Sequence, residues 1–364
     1  MKVLVIGGGI AGLAIAWRLS RQGSTVEIVE RGICGRSASW AAAGMIAPGG
    51  ELDSEGNAVA SFAREARYLW PSFAAKLEQA SGIPIFYTET DSVIVAETES
   101  GAAQLRRRAA GAAQWLSSEQ LLSREPLLSR KLKGALNIRG DAQVDNRALG
   151  DALFAALVAS GAVIHENCEA LSLVIERGSA RAVVTQRGTM QADAILLTSG
   201  AWMALMSGTG LNLPPIKPVK GQMLALSPPQ GVGLPKSLIW SDHVYLVAQR
   251  DTLLIGATVE DAGFDASVDR HCANMLLESA SRLIPSLPHW RLAEIWAGLR
   301  PRTPDDAPVL GRTRISNLFV AGGQFRNGIL FAPMIAECMA RMLLGQDPGP
   351  LAAAFHPGRF SENA

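Results

Sequence analysis

The chain opens on an unbroken apolar run, Val3-Leu4-Val5-Ile6. A strand buried on both faces reads this way, because neither side of its pleat meets water. Val26-Glu27-Ile28-Val29 has a similar texture, and between the two, positions 13–22 carry the spacing of a helix that Gly23 would close at its C-cap. Two more buried strands follow the same pattern. Ala194-Ile195-Leu196-Leu197 runs into the small residues Thr198, Ser199 and Gly200, and Leu318-Phe319-Val320-Ala321 ends in Gly322 and Gly323. An amphipathic helix is predicted over 147–159, a strand beginning at Val163-Ile164-His165, and a last helix over about 332–344. The texture changes from about 83 to 140 and again from about 215 to 305. There, short alternating segments and prolines dominate, as in an antiparallel sheet with one wet face.

This alternation predicts an α/β chain of two domains. Segments 1–82, 141–212 and 306–347 form a discontinuous first domain, 83–140 and 213–305 a second, and 348–364 a poorly ordered tail. The length of 364 residues suits two domains of about 100–200 residues. With 48% hydrophobic and 18% charged residues, the chain is too apolar to be disordered. A net charge of +1 lacks the basic excess of a dedicated nucleic-acid binder. Arg106-Arg107-Arg108 reads as a solvated helix face. The N-terminus imitates a signal peptide, with Lys2 ahead of an apolar run ending in Ala14-Ile15-Ala16. Gly7, Gly8, Gly9 and Gly12 inside it fit a strand and tight turn better, so the chain reads as cytoplasmic and without a membrane span. Cys34, Cys168, Cys272 and Cys338 are widely spaced, which predicts free thiols in a reducing compartment; no metal is expected from them or from the five histidines.

The first chemical signal is Gly7-Gly8-Gly9-Ile10-Ala11-Gly12, a G-x-G-x-x-G turn between strand and helix. Gly7 allows the sharp turn, Gly9 lets a pyrophosphate approach the backbone, and Gly12 lets the helix pack on the strand. The helix N-terminus offers free N–H groups and the positive end of a dipole. Glu30 ends the second strand eighteen residues beyond Gly12, placed to accept hydrogen bonds from ribose hydroxyls. These features together predict a bound dinucleotide. The small-residue segment Ser37-Ala38-Ser39-Trp40-Ala41-Ala42-Ala43-Gly44-Met45-Ile46-Ala47-Pro48 suits a backbone pressed on a planar ring and suits a close-packed helix equally well.

At this point the sequence resembles a known family, the D-amino acid oxidase superfamily of flavoproteins, and within it the glycine oxidases of thiamine biosynthesis. The resemblance rests on Val5-Ile6-Gly7-Gly8-Gly9-Ile10, Ala41-Ala42-Ala43-Gly44-Met45, Val219-Lys220-Gly221, Asp242-His243-Val244-Tyr245, Ile255-Gly256-Ala257-Thr258, Trp296-Ala297-Gly298-Leu299-Arg300-Pro301 and Phe325-Arg326-Asn327-Gly328-Ile329-Leu330-Phe331-Ala332-Pro333. It implies a Rossmann-like FAD-binding domain with a second, mostly antiparallel-sheet substrate domain, the glutathione-reductase-type-2 oxidase architecture. It also implies FAD contacts at Arg31, Ala38, Ser39, Ala43, Gly44, Met45, Gly200 and Ala170, the last at the adenine, and along the loop Gly323, Gln324, Phe325, Arg326, Asn327, Gly328, Ile329 and Leu330.

Oxidising an amino acid at a flavin requires chiefly that the protein hold the carboxylate and aim the α C–H bond. A guanidinium grips a carboxylate with a planar fork. Alternation over Ile295 to Arg300 places Arg300 on one strand face with Gly298, whose missing side chain would leave room for a ring. Pattern alone favours an ordinary ion pair for Arg300; the resemblance matches it to the arginine that binds the substrate carboxylate. Arg302 points the same way by period and has no such match. His243 and Tyr245 share a face if 242–248 is one strand, which describes a half-buried aromatic face as well as an active site. The resemblance places both at the active site and makes Arg326 a second active-site arginine. Val259 stands where glycine oxidases carry a longer apolar residue, which bears on pocket size. In the sarcosine oxidase branch a cysteine before a Thr-Pro-Asp loop holds the flavin covalently; here Thr303-Pro304-Asp305 is present and the matching position is Gly298, implying non-covalent FAD.

The resemblance implies oxidative deamination of glycine and other small amines or D-amino acids, such as sarcosine and D-alanine. Hydride would pass from the α-carbon to flavin N5, giving an imine, then glyoxylate or a 2-oxo acid, ammonia and, with dioxygen, hydrogen peroxide, in the service of thiazole formation. The alternative is a D-amino acid dehydrogenase that uses another electron acceptor. A flavin-binding subunit of a larger assembly is a third reading, opposed by the presence of Arg300 and Tyr245. The resemblance also implies a homo-oligomer, a tetramer.

Overall fold

A computed structural model describes residues 1–51, 57–206 and 213–363. The segment 207–212, on which the expected domain boundary falls, lies outside the described residues. Strand β1 (Lys2–Ile6), helix α1 (Ile10–Ser20) and strand β2 (Thr25–Val29) form the first βαβ unit. β1 lies mid-sheet, parallel to β2 on one side and to Ala194–Leu197 on the other. The six-stranded sheet runs Val309–Arg312, Leu318–Gly322, Ala194–Leu197, β1, β2, Val163–His165, and all pairs but the first are parallel.

The unbroken apolar run of β1 follows from this position. Val3 and Val5 pack with α1 and the helices Asn146–Ala159, Ala58–Ser81 and Gly328–Leu343. Leu4 and Ile6 pack on the opposite face, against the three-stranded sheet spanning Ala170–Gln191. Both faces are dry, so neither carries a polar residue.

The second large sheet combines Arg291–Arg302, Lys217–Ser227, Thr252–Gly256, Tyr245–Gln249, Leu238–Trp240, Thr88–Ala96 and Gly134–Gln143. Its pairs are antiparallel save one, Leu238–Trp240 beside Thr88–Ala96. Its edge is completed by β3 (Met45–Ile46), which follows the short helix α2 (Ala38–Ala41), so the small-residue segment of the N-terminal region joins both sheets.

Several elements differ from the sequence reading. α1 begins at Ile10, inside the glycine turn, and its C-cap is Arg21; Gly23 lies two residues further, at φ +82°. The helix expected over 332–344 begins at Gly328 and carries Pro333 in its interior, and a short helix, Pro350–Ala353, follows it. The 24-residue helix Ala58–Ser81 was not expected, since Pro71 in its interior is a helix-breaking signal, although Asn57 caps the Ala60 N–H at 2.6 Å and Phe62, Ala66, Trp70, Ala74 and Leu77 keep helical spacing. The strand expected over 242–248 starts only at Tyr245; Ser241 Oγ accepts the N–H of His243 at 3.3 Å and of Val244 at 3.2 Å, holding a turn there. The tail expected to be poorly ordered from Pro348 is, as far as Phe360, packed on the rest of the chain. Phe355 is buried against Phe62, and Arg359 is ion-paired with Asp305. Arg106, Arg107 and Arg108 are exposed at the end of helix Glu99–Arg107.

Candidate active site

A cavity of about 790 Å³ runs from the end of β1 to the Arg291–Arg302 strand. That volume lies in the upper part of the range for ligand sites, about 300–1,000 Å³.

At one end the glycine turn forms the wall. Gly7 has φ +108°, and a Cβ there would meet Thr198 O at 2.6 Å. A Cβ on Gly12 would run into Gly7 O and Thr198 Oγ1, so the missing side chains let α1 pack on the sheet. Gly7, Gly9, Ile10 and Ala11 line the cavity; Gly12 sits one turn behind it. The Ile10 N–H donates to Ser39 Oγ at 3.0 Å, which ties α1 to the small-residue segment. Glu30 also lines the cavity, oriented by the N–H of Gly8 at 2.7 Å and of Gly32 at 2.9 Å. Beside it Arg31 lies over the Trp202 ring, 3.7 Å from its centroid, and Ala170 and Gly200 complete this end.

The middle is walled by Ala38, Ser39, Ala43, Gly44 and Met45. This segment is held by its carbonyls from behind. Asn146 Nδ2 donates to Ser39 O and Trp40 O at 2.8 and 2.9 Å, Trp296 Nε1 to Ala41 O at 3.0 Å, and Val144 N–H to Gly44 O at 2.9 Å. Gly298 does not leave room for a ring. A Cβ there would strike Ala41 Cβ, so its space admits α2. Opposite lie Gln324, Phe325, Arg326, Gly328 and Ile329. Gly323, Asn327 and Leu330 of the same loop lie behind the wall: Gly323 packs on Thr303, Asn327 is buried at the helix start, and Leu330 O accepts the Trp70 indole N–H at 2.9 Å.

At the far end the cavity meets Arg300, Tyr245 and His243. Gly221 pairs with Gly298 across the strands, diagonal to Arg300. A Cβ on Gly221 would occupy the place of the Arg300 guanidinium. Arg300 Nη1 donates to Thr258 O at 3.0 Å. Tyr245 lies over Gly256, its cross-strand partner, where a Cβ would meet the phenol oxygen at 2.5 Å. Its hydroxyl is 3.6 Å from Met223 Sδ, and its ring lies 5.7 Å from that of Trp240. His243 and Arg326 are exposed at the cavity, the latter over the Phe325 ring. Arg302 turns away to bond Asp306 with both Nε and Nη2. Val259 is 53% exposed at the rim. Neither pattern nor resemblance gave a role to Gly221, Gly256, Thr258, Trp202 and Trp240; the two glycines bore a signal in being strand glycines and in standing within the strings that carry the resemblance.

The residues fit an adenine dinucleotide. Two buried polar atoms of lining residues, Ser199 Oγ and Gln324 Nε2, have no protein partner among the described residues, as atoms awaiting a ligand would. The bare backbone of Gly7 and Gly9 would suit a phosphate and the carboxylate of Glu30 a ribose, and all three line the cavity. Among the described residues no group of three or more His, Cys, Asp or Glu stands together to hold a metal ion, and no helix is long and apolar enough to cross a membrane.

A family model described as FAD dependent oxidoreductase (DAO) matches residues 2–342. The chain is 34% identical to a glycine oxidase of Geobacillus kaustophilus over 371 residues, covering 98% of this chain and 97% of that one. The crystal structure of glycine oxidase from that organism superposes with a TM-score of 0.92 at 32% identity, covering 98% of this chain and 99% of that one. A bifunctional protein ThiO/ThiG of Trichormus variabilis is 34% identical over 369 residues, and there the whole of this chain spans only 55% of the relative.

Proposed function

Because the chain belongs to the FAD-dependent oxidoreductase (DAO) family, we propose that it oxidises the amine of glycine or another small amino acid, with Arg300 as the carboxylate anchor. The observation that carries this reading is the seating of the Arg300 guanidinium over Gly221, in the same cavity as the dinucleotide cradle. Glu30 would hold the ribose and the first turn of α1 the pyrophosphate, while the segment 38–45 and residues 324–329 would flank the flavin. When bound, FAD supplies the acceptor for the two electrons that leave the α-carbon. The protein supplies position. The Arg300 fork fixes the carboxylate, which leaves the α-carbon facing the middle of the cavity, and the Tyr245 hydroxyl offers a second hydrogen bond. The apolar walls at Met223, Trp240 and Ala257 exclude water from one side.

The amine loses two electrons and gives the imine, water releases glyoxylate and ammonia, and dioxygen takes up the electrons as hydrogen peroxide. A cytoplasmic enzyme of this kind would feed thiazole formation in thiamine synthesis, and we assign it a homo-oligomeric state and non-covalent FAD. An anaerobic amino-acid screen tests the reading. Glycine, sarcosine or D-alanine should bleach the flavin, and aeration should then form peroxide. Bleaching without peroxide would make the protein a dehydrogenase, and no bleaching by any amino acid would end the proposal. Acid precipitation should release all the yellow colour into the supernatant.

A further inference from the structure

Behind the strand that carries Gly221 lies a polar cluster, buried at Lys220 and Gln222 and half-buried at Glu260, that the reaction above does not use. Lys220 and Gln222 flank Gly221, so their side chains leave the sheet on the face away from Arg300. They are only 4% and 0% exposed. Such groups are costly to bury unless partnered. Their common partner is Glu260. Lys220 Nζ lies 3.8 Å from Glu260 Oε2 and 3.9 Å from Asp265 Oδ2. Gln222 Nε2 donates to Glu260 Oε1 at 2.9 Å, and Gln222 Oε1 accepts the Asp269 N–H at 2.6 Å. The Thr258 hydroxyl donates to the same Glu260 oxygen and accepts the Gln222 N–H at 2.8 Å.

The backbone repeats the pattern. Lys220 and Glu260 exchange two N–H···O bonds of 3.0 Å, and Thr258 N–H reaches Gln222 O at 3.3 Å. Ala257, Thr258 and Val259 face the cavity, while Glu260 holds them from behind. Thr258 O is the acceptor for Arg300 Nη1. The cluster therefore ends on the guanidinium through one carbonyl.

We infer that Glu260 is a positioning residue for carboxylate recognition: it holds Thr258, and the Thr258 carbonyl aims the Arg300 fork over Gly221. This inference rests on the reading of Arg300 as the anchor. Removing Glu260 frees the wall at 257–259 and lets the fork swing, which weakens carboxylate capture and leaves the chemistry of captured substrate nearly unchanged.

The test uses the FAD-loaded enzyme with two readouts: steady-state kinetics on glycine, and the Kd of glycolate from the shift in flavin absorbance. Glu260→Ala should raise both KM and the glycolate Kd about tenfold, with kcat within about twofold and FAD content unchanged. Glu260→Gln keeps one acceptor oxygen, which can still take both the Thr258 hydroxyl and Gln222 Nε2, and should stay within about threefold of the parent. Thr258→Val removes the hydroxyl, with its bonds to Glu260 and from the Gln222 N–H, but keeps the carbonyl; it should follow Glu260→Ala, so it decides the matter if the alanine variant does not fold. In an Arg300→Ala background, Glu260→Ala should add nothing, because the group it aims is gone. An unchanged KM and Kd in Glu260→Ala or Thr258→Val, or the same rise persisting without Arg300, overturns the inference. If Arg300→Ala by itself leaves glycolate binding intact, the reading of Arg300 fails instead.

Discussion

At the cradle end of the cavity, glycines serve the backbone. Gly7 adopts φ +108° against Thr198, and Gly12 lets α1 lie on β1. At the end proposed for the substrate, glycines serve side chains. Gly221 makes room for the Arg300 guanidinium and Gly256 for the Tyr245 ring, and neither has a positive φ. The first group comes from six consecutive residues. The second comes from separate strands joined by register: Val219 with Arg300 on strands far apart in the chain, and Tyr245 with Gly256 across a hairpin. A cofactor cradle can be local because a helix N-terminus and a turn already make it. A carboxylate anchor has to be aimed, and aiming needs a second strand.

This contrast can be broken by mutation. Arg300→Ala should cost about 2–5 kcal/mol in kcat/KM for the amine, tens- to thousands-fold, with FAD content unchanged. Glycine kinetics equal to the parent would remove the anchor. Gly221→Ala should reproduce much of that loss, about a hundredfold, by displacing the guanidinium without touching it chemically. A crystal structure of this variant with the arginine in its parental place would contradict the account of the strand glycines.

Glu30→Ala strikes the other end. It should weaken FAD binding by about 1.5–3 kcal/mol, since a charged acceptor is lost and the N–H of Gly8 and Gly32 lose their partner. At saturating FAD the amine KM should not move; a titration showing parental FAD affinity would refute the ribose role.

The smallest effect concerns thiols. Cys34 lies buried behind Gly8, and its thiol is pushed far above the usual range by burial, then by Glu166 and Glu30. Burial, with Glu337 adding, raises Cys338 to about 11. Cys272 lies behind the substrate end, raised by burial first, then by Glu260 and Asp269, and it alone of the four cysteines is partly exposed. A raised pKa leaves little thiolate at neutral pH. Iodoacetamide should therefore label native protein at Cys272 only, slowly at pH 7 and faster as pH rises through the thiol range. Mass spectrometry showing Cys34 labelled first would put the packing at the cradle in error.

Much of the cradle was legible in the chain because its signals are short-range. The glycine spacing, the apolar run of β1 and the acid at the end of β2 each act within one βαβ unit. The helix Ala58–Ser81 was not, since Pro71 breaks the pattern while Trp70 and its neighbours gain their burial from distant residues such as Phe331 and Leu330. His243 shows the limit of period-two reasoning. Alternation predicted a shared face with Tyr245, and the Ser241 hydroxyl, by capturing two backbone N–H groups, made a turn instead. Gly298 shows it again. An empty position was foreseen, but what fills it, the methyl of Ala41, comes from 257 residues earlier in the chain.

By itself the amino-acid order determined the α/β class, the dinucleotide turn with its acidic partner, and an arginine of the right chemistry on an alternating strand. Only the tertiary structure decided that this arginine faces the cavity while Arg302 pairs with Asp306. It also decided that Gly221 and Thr258 seat the guanidinium, and that a buried Lys220, paired with the half-buried Glu260, stands behind them. The reason is physical: strand periodicity assigns a residue to a face, but which face is buried, and against what, depends on strand pairings that no local pattern encodes.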